Sequence, residues 1–174
     1  MSDRSPTKKL RLLLGLAVLT SCIGCDQATK SLATQTLKDL PPQSYLGDTF
    51  RLDYALNPGA FLSLGGSLSP ALRQALFIGF NSCFLGAVGF FVIRQWNMKL
   101  PLFLSAVCIL AGGIGNLIDR VTNQGLVTDF LVVGWGPIRS GVFNVADMAV
   151  TFGAIAAFLC TWREPVDTPK HTDA

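Results

Sequence analysis

The chain has 174 residues, 50% of them hydrophobic and only 14% charged, with 14 Lys+Arg against 11 Asp+Glu and a formal net charge of +3. Soluble domains carry about a quarter charged residues, and the mean hydropathy here is +0.45. An ordinary water-soluble enzyme, a disordered tail and a nucleic-acid binder with a basic face are therefore excluded, and the membrane class comes first.

Runs long enough to cross about 30 Å of hydrocarbon are residues 10–25, 70–93, 100–118 and 142–162. The first follows Arg4, Lys8 and Lys9 and is short, but Ala28, Leu32 and Ala33 continue its apolar pattern. Asp26 and Lys30, four apart on one helix face, are placed at the membrane interface. Within this run Leu19-Thr20-Ser21-Cys22 has the form of a lipoprotein signal ending in a lipid-accepting cysteine. Three further spans make such an anchor redundant, so the run is read as the first transmembrane helix.

The long loop after it alternates apolar and polar residues from Thr49 to Tyr54 and closes on the turn signal Asn57-Pro58-Gly59, which predicts a small sheet on the membrane surface. Gly79, Gly86, Gly89, Gly112, Gly113 and Gly115 fall where helices pack closely. Cys22, Cys25, Cys83, Cys108 and Cys160 lie in apolar runs, where thiols act as small hydrophobes, and are expected reduced. Direction follows from Arg4, Lys8, Lys9, Arg11, Arg94, Lys99, Arg163 and Lys170, which outnumber the basic residues of the much longer opposite segments. Both termini are expected to be cytoplasmic, with the first and third loops outside.

Ionisable groups at membrane depth are costly and mark functional sites. Asp119 ends the third span, Asp129 lies in Val127-Thr128-Asp129-Phe130, and Asp147 opens the fourth span after Asn144, so all three converge at the outer boundary. Two neighbouring carboxylates cannot both ionise cheaply, so they share a proton and titrate as a unit. The ionised partner can take a proton from water while the protonated one polarises a peptide carbonyl, without metal, histidine or covalent intermediate. The single histidine, His171, already removes Ser-His-Asp and Cys-His schemes and any zinc site built on paired histidines.

Structural roles compete for each acid. Asp119 can pair with Arg120, Asp129 can be an ordinary loop carboxylate, and Asp147 can cap the last helix. Residue chemistry leaves the choice of pair open. A catalytically silent membrane protein would place an acid deep in a span against charges on other spans, whereas the central parts of all four spans lack charge. A serine-lysine peptidase using Lys30 is disfavoured because Asp26 would hold the lysine charged.

The ordered motifs Asp26-Gln27-Ala28-Thr29-Lys30, Asn57-Pro58-Gly59-Ala60, Gly115-Asn116-Leu117-Ile118-Asp119-Arg120, Thr128-Asp129-Phe130 and Phe143-Asn144-Val145-Ala146-Asp147 resemble those of the lipoprotein signal peptidases, the bacterial signal peptidase II family. The resemblance covers the chain as a single domain, 1–174. It implies an all-α polytopic fold of four transmembrane helices with a small β-sheet cap and a short helix on the outer face. It also implies an aspartate dyad of Asp129 and Asp147, with Asp119 and Arg120 ordering the site. Asn57, Asn116, Arg120 and Asn144 would line the substrate cleft, and Asp26 and Lys30 would support it.

The implied reaction is hydrolysis of the bond before the diacylglyceryl-modified cysteine of a prolipoprotein. It requires no cofactor and takes place in the bacterial inner membrane, with lipid bound between helices and globomycin-type cyclic peptides as inhibitors. The chain departs from the family pattern at Thr128, where valine is usual, at Phe61-Leu62, and in a spacing from Asp119 to Asp129 that is one residue longer than is common. A Thr128 hydroxyl beside Asp129 is expected to donate to it and lower its pKa.

Overall fold

The computed structural model describes residues 7–59 and 69–162. Backbone N–H and C=O groups in hydrocarbon must be satisfied within the chain, which restricts membrane crossings here to helices. Four helices are long and apolar enough to cross: α1 (Lys8–Thr36), α2 (Pro70–Arg94), α3 (Leu100–Thr122) and α4 (Val145–Trp162). Each of the first three starts where the sequence supplies a start signal. The Thr7 hydroxyl accepts from Leu10 N, the Ser69 hydroxyl accepts from Leu72 N, and prolines occupy the first turns of α2 and α3.

Helix α1 is 29 residues long and continues past residue 25, as the apolar pattern of Ala28, Leu32 and Ala33 predicts. Asp26 and Lys30 in this extension face inward and pair with each other. Helix α1 carries Leu19-Thr20-Ser21-Cys22 in mid-helix. Helix α4 begins at Val145, three residues later than the expected span, because Asn144 serves as its cap.

Helix α3 is the hub, packing on the other three. Half of its membrane-spanning part is buried, against 11% for each of the others. Close approach depends on its glycines: a Cβ at Gly112 would run into the Ala146 carbonyl oxygen of α4, and one at Gly115 would lie 2.6 Å from Asp26 Oδ2 and 3.3 Å from Ala146 Cβ. At the opposite end of the bundle Arg11 is buried. It donates to Trp96 O and to Met98 O at 2.6 Å, and its guanidinium lies over the Phe103 ring.

Strands β1 (Gln43–Tyr45), β2 (Phe50–Asn57), β3 (Val127–Trp135) and β4 (Ile138–Arg139) form one antiparallel sheet in the order β1-β2-β3-β4. The expected strand in the first loop is thus present and longer, and the third loop supplies a second long strand. Leu52 pairs with Leu131 and Ala55 with Asp129, with a register shift between them. Such irregularities re-aim side chains, and here the shift lies beside Asp129. The sheet is seated on the bundle by Ala33 of α1 and Leu37 at its C-terminal cap with Phe130, against which Leu52, Tyr54, Leu131 and Val145 pack. The short helix expected beside the sheet is not among the described elements, and residues 60–68, including Phe61-Leu62, lie outside them. All five cysteines are free.

Candidate active site

The start of α4 organises the site. Asn144, fully buried, accepts from Asp147 N through its Oδ1 at 2.9 Å, while Asp147 Oδ2 accepts from Asn144 N at 3.2 Å. This is a reciprocal capping box, with aspartate in the place usually held by glutamate. The capping role open to Asp147 is therefore real, but it uses one oxygen only. The other, Oδ1, accepts from Asn116 Nδ2 at 2.8 Å.

The Asn144 amide is turned the other way, towards the sheet. Its Nδ2 donates to Asp129 Oδ1 at 2.6 Å, to Asn116 Oδ1 at 3.1 Å and to Thr128 O at 3.3 Å. Asp129 Oδ2 accepts from Asn57 Nδ2 at 3.0 Å, and Asn57 is itself fixed because its Oδ1 accepts from Gly59 N at the Asn57-Pro58-Gly59 turn. Asp129 and Asp147, more than a dozen residues apart on a strand and a helix, are thus joined through two asparagine amides that give each an N–H. Burial pushes Asp129 up to about 6; the Asn57 and Asn144 donors oppose this, and the charge of Asp147 adds to it.

Behind the pair lies a buried ion cluster. Lys30 Nζ meets Asp26 Oδ2 at 2.8 Å and Asp119 Oδ2 at 3.2 Å, and donates to Asn116 Oδ1 at 3.0 Å. Its three N–H groups are all engaged, so it has none left to serve a serine nucleophile. Asp26 also reaches across to α4, where its Oδ1 accepts from Ala146 N at 2.9 Å and satisfies an end group that a helix leaves unpaired. Asp119 accepts from Thr128 N at 2.8 Å and from Gln27 Nε2 at 3.1 Å.

Two expectations are corrected here. Asp119 is neutralised by Lys30 from α1, not by the adjacent Arg120. Arg120 instead donates to Asn116 O and Gly59 O and lies over the Phe77 ring. The second concerns Thr128: its backbone N–H serves Asp119, while both Asp129 oxygens accept from asparagines, and the Asp129 pKa is raised and not lowered. Asp26 and Lys30, on one face of α1, are both buried.

The geometry brings together every candidate named from the sequence: Asp129, Asp147, Asn57, Asn116, Asn144, Asp119, Arg120, Asp26 and Lys30. One contributor was missed. Gln27 donates to Asp26, Gly115 O and Asp119, tying α1 to α3, and its place between Asp26 and Lys30 in the first motif was the available signal.

A family model described as Signal peptidase (SPase) II matches residues 18–163. The chain belongs to the signal peptidase II family. It is a multi-pass membrane peptidase by that membership and by its four candidate spans. Lipoprotein signal peptidases similar to it include that of Desulforapulum autotrophicum, 34% identical and covering 79% of this chain and 85% of the relative. That of Syntrophotalea carbinolica is 35% identical over 91% of this chain and 95% of the relative. In Mycobacterium tuberculosis the figures are 35% identity, 87% and 71%.

The same fold occurs in two bacterial membrane enzymes solved by the in meso method. One, at 2.3 Å, has a TM-score of 0.75 and 22% identity, covering all of this chain and 99% of the other. The second, at 1.9 Å, has a TM-score of 0.73 and 24% identity, covering 95% of this chain and all of the other.

Proposed function

We propose that this protein removes signal peptides from bacterial prolipoproteins, cleaving the bond before the diacylglyceryl-modified cysteine with water activated by Asp129 and Asp147. The observation that carries the reading is the paired-amide bridge, in which Asn144 donates to Asp129 and Asn116 donates to Asp147. This bridge holds two otherwise distant carboxylates in one buried site.

Two such groups keep a single proton between them, and the raised pKa of Asp129 favours its retention towards neutrality. The ionised carboxylate removes a proton from water as the water oxygen bonds to the scissile carbonyl carbon. The protonated carboxyl donates to the carbonyl oxygen as charge develops there. Collapse of the tetrahedral species breaks the C–N bond, and the proton first taken from water passes to the leaving cysteine nitrogen. The products are a signal-peptide carboxylate and a lipidated N-terminal cysteine.

Asn57 and Arg120, which borders the turn through Gly59 O, line the substrate side. Lys30 holds Asn116, Asp26 the α4 start and Asp119 the Thr128 backbone beside Asp129. The dyad supplies both proton roles, so no cofactor enters the reaction. Lipid-modified substrate reaches the site between helices from the bilayer, and globomycin-type cyclic peptides compete for the same cleft. The protein sits in the inner membrane with both termini cytoplasmic and the site at the outer face.

The test is single-turnover cleavage of a synthetic diacylglyceryl-cysteine prolipoprotein peptide by the detergent-purified protein beside Asp129→Asn, Asp147→Asn and Asp119→Asn, with folding checked. Cleavage before the lipidated cysteine that is abolished in the first two variants supports the dyad. Activity that survives Asp129→Asn but not Asp119→Asn would mean that the wrong pair is assigned, and a folded but inactive wild type would overturn the peptidase reading.

A further inference from the structure

Asp119 and Arg120 adjoin in sequence and turn to different flanks of α3. Arg120 reaches Gly59 O and the Phe77 ring of α2, on the substrate side. Asp119 meets Lys30 and Gln27 of α1. Behind it, where the outer ends of α1 and α3 meet the start of β3, lies a pocket of about 290 Å³.

Every residue lining this pocket is polar. Its floor is Lys30, Asp119 and Thr128, all buried, and exposed Ser31, Thr34 and Thr122 are among the side chains at its mouth. Alternation along β3 puts the Thr128 side chain on the face opposite Asp129, the face from which Phe130 packs against Ala33 and Leu37. Thr128, one of the departures from the family pattern, therefore brings its hydroxyl to the pocket and not to the dyad. A water molecule needs about 10–15 Å³ and two to four polar partners, and the pocket offers both many times over.

The wall between pocket and carboxylates is one residue thick. Lys30 donates to Asn116 Oδ1, and Asn116 Nδ2 donates to Asp147 Oδ1, while Thr128 is the chain neighbour of Asp129. That wall is also short of donors. An amide nitrogen carries two hydrogens, and Asn144 Nδ2 faces three acceptors. Asp129 Oδ1 takes one hydrogen at 2.6 Å, and the other is divided between Asn116 Oδ1 at 3.1 Å and Thr128 O at 3.3 Å. Water entering at this junction supplies a donor.

We propose that the pocket is the water inlet of the site. The water split between Asp129 and Asp147 arrives from the α1 flank, through the junction of Asn116, Asn144 and Thr128, while the lipidated substrate holds the α2 flank. The inference rests on the peptidase reading above. Each bond hydrolysed consumes a water, and a diacylglyceryl substrate brings hydrocarbon to its own side of the dyad. A polar route from the other flank lets the substrate close its cleft without cutting off its co-substrate.

The test is a reversible plug. Full-length Ser31→Cys in lipid nanodiscs is treated with charged methanethiosulfonates of increasing size, beside wild type, whose own cysteines lie in apolar runs. Single-turnover cleavage of the diacylglyceryl-cysteine peptide is followed in H2O and D2O. Before treatment the variant should cleave within twofold of wild type. The bulkiest adduct should lower the saturating rate at least fivefold, leave the half-saturating concentration unchanged, and be reversed by dithiothreitol. As water entry becomes limiting, the solvent isotope effect of proton transfer should fall towards one, whereas a dyad merely displaced by the adduct would retain it. Failure of the introduced thiol to react would mean that the pocket is closed to water. An undiminished rate with the adduct confirmed by mass, a raised half-saturating concentration, or a retained isotope effect would each overturn the inlet and leave the dyad standing. An inactive wild type would instead remove the peptidase reading, and the inlet with it.

Discussion

Asp129→Asn separates the cost of a buried carboxylate from its use. The carboxyl is 2% exposed and its pKa is raised from 3.8 to about 6, chiefly by burial. The folded chain therefore holds a proton that the unfolded chain has released between these two values. The sign follows: a native state that binds more protons than the unfolded state loses stability as pH rises. Over the whole titration, from well below pH 3.8 to above about pH 7, the wild type should lose about 3 kcal/mol from this group, about 2 kcal/mol of it between pH 4 and 6, because each tenfold difference in proton affinity between the two states is worth about 1.4 kcal/mol. Above about pH 7 the deficit stays constant.

Asparagine also changes hydrogen bonding, because one of its positions is a donor where Asn57 and Asn144 both donate. That penalty is independent of pH. The observable is the difference in unfolding free energy between Asp129→Asn and wild type, measured by denaturant titration in one detergent at pH 4, 5, 6, 7 and 8. It should move in favour of the variant by about 2 kcal/mol between pH 4 and 7 and then level off. Parallel stability curves for the two proteins would refute a carboxyl strained by burial, and a change of opposite sign would mean that Asp129 is stabilised as its anion.

Lys30→Met leaves Asp26 and Asp119 buried without their counter-charge and should destabilise by about 3–5 kcal/mol; adding Asp26→Asn and Asp119→Asn should restore most of this in the same denaturant titration. Gly112→Ala forces a methyl into the Ala146 carbonyl. It should cost about 1–3 kcal/mol and, by displacing the turn that carries Asp147, lower single-turnover cleavage by more than tenfold. Thr128→Val should keep the wild-type pH–rate profile, since the backbone N–H of Thr128 and not its hydroxyl serves the site; an altered profile would restore the hydroxyl to a direct role at Asp129. Asn144→Ala removes the α4 cap and the Asp129 donor together, with a stability loss of about 1–2 kcal/mol and loss of cleavage.

Spans are readable because hydrocarbon demands length and apolarity, which are local properties of a sequence. Their ends are less readable. Asp26 and Lys30 look like the edge of a span when α1 is considered alone, and become interior residues only when Asp119 arrives from α3 and the Ala146 N–H from α4. The same non-locality hides the partner of Asp119, since Arg120 adjoins it in sequence while its side chain turns to Gly59. Strand β3 is not legible within its loop: its alternation is masked by the run Phe130-Leu131-Val132-Val133 and by the register shift opposite it. The candidate site fares better, because carboxylates and amides in a chain of such low charge are conspicuous, and the motif resemblance selects Asp129 and Asp147 where residue chemistry leaves three acids.

The Asn144–Asp147 box sits at the start of α4, the last element of the described chain. Ribosomes deliver segments in order, so Asp26, Lys30, Asn57, Asn116, Asp119, Arg120 and Asp129 all emerge before the second carboxylate exists. A chain stalled or truncated before residue 147 holds most of the site but not the Asn116–Asp147 bond or the Asn144–Asp147 box. On the proposed dyad, the site is therefore completed only when the last described helix is inserted.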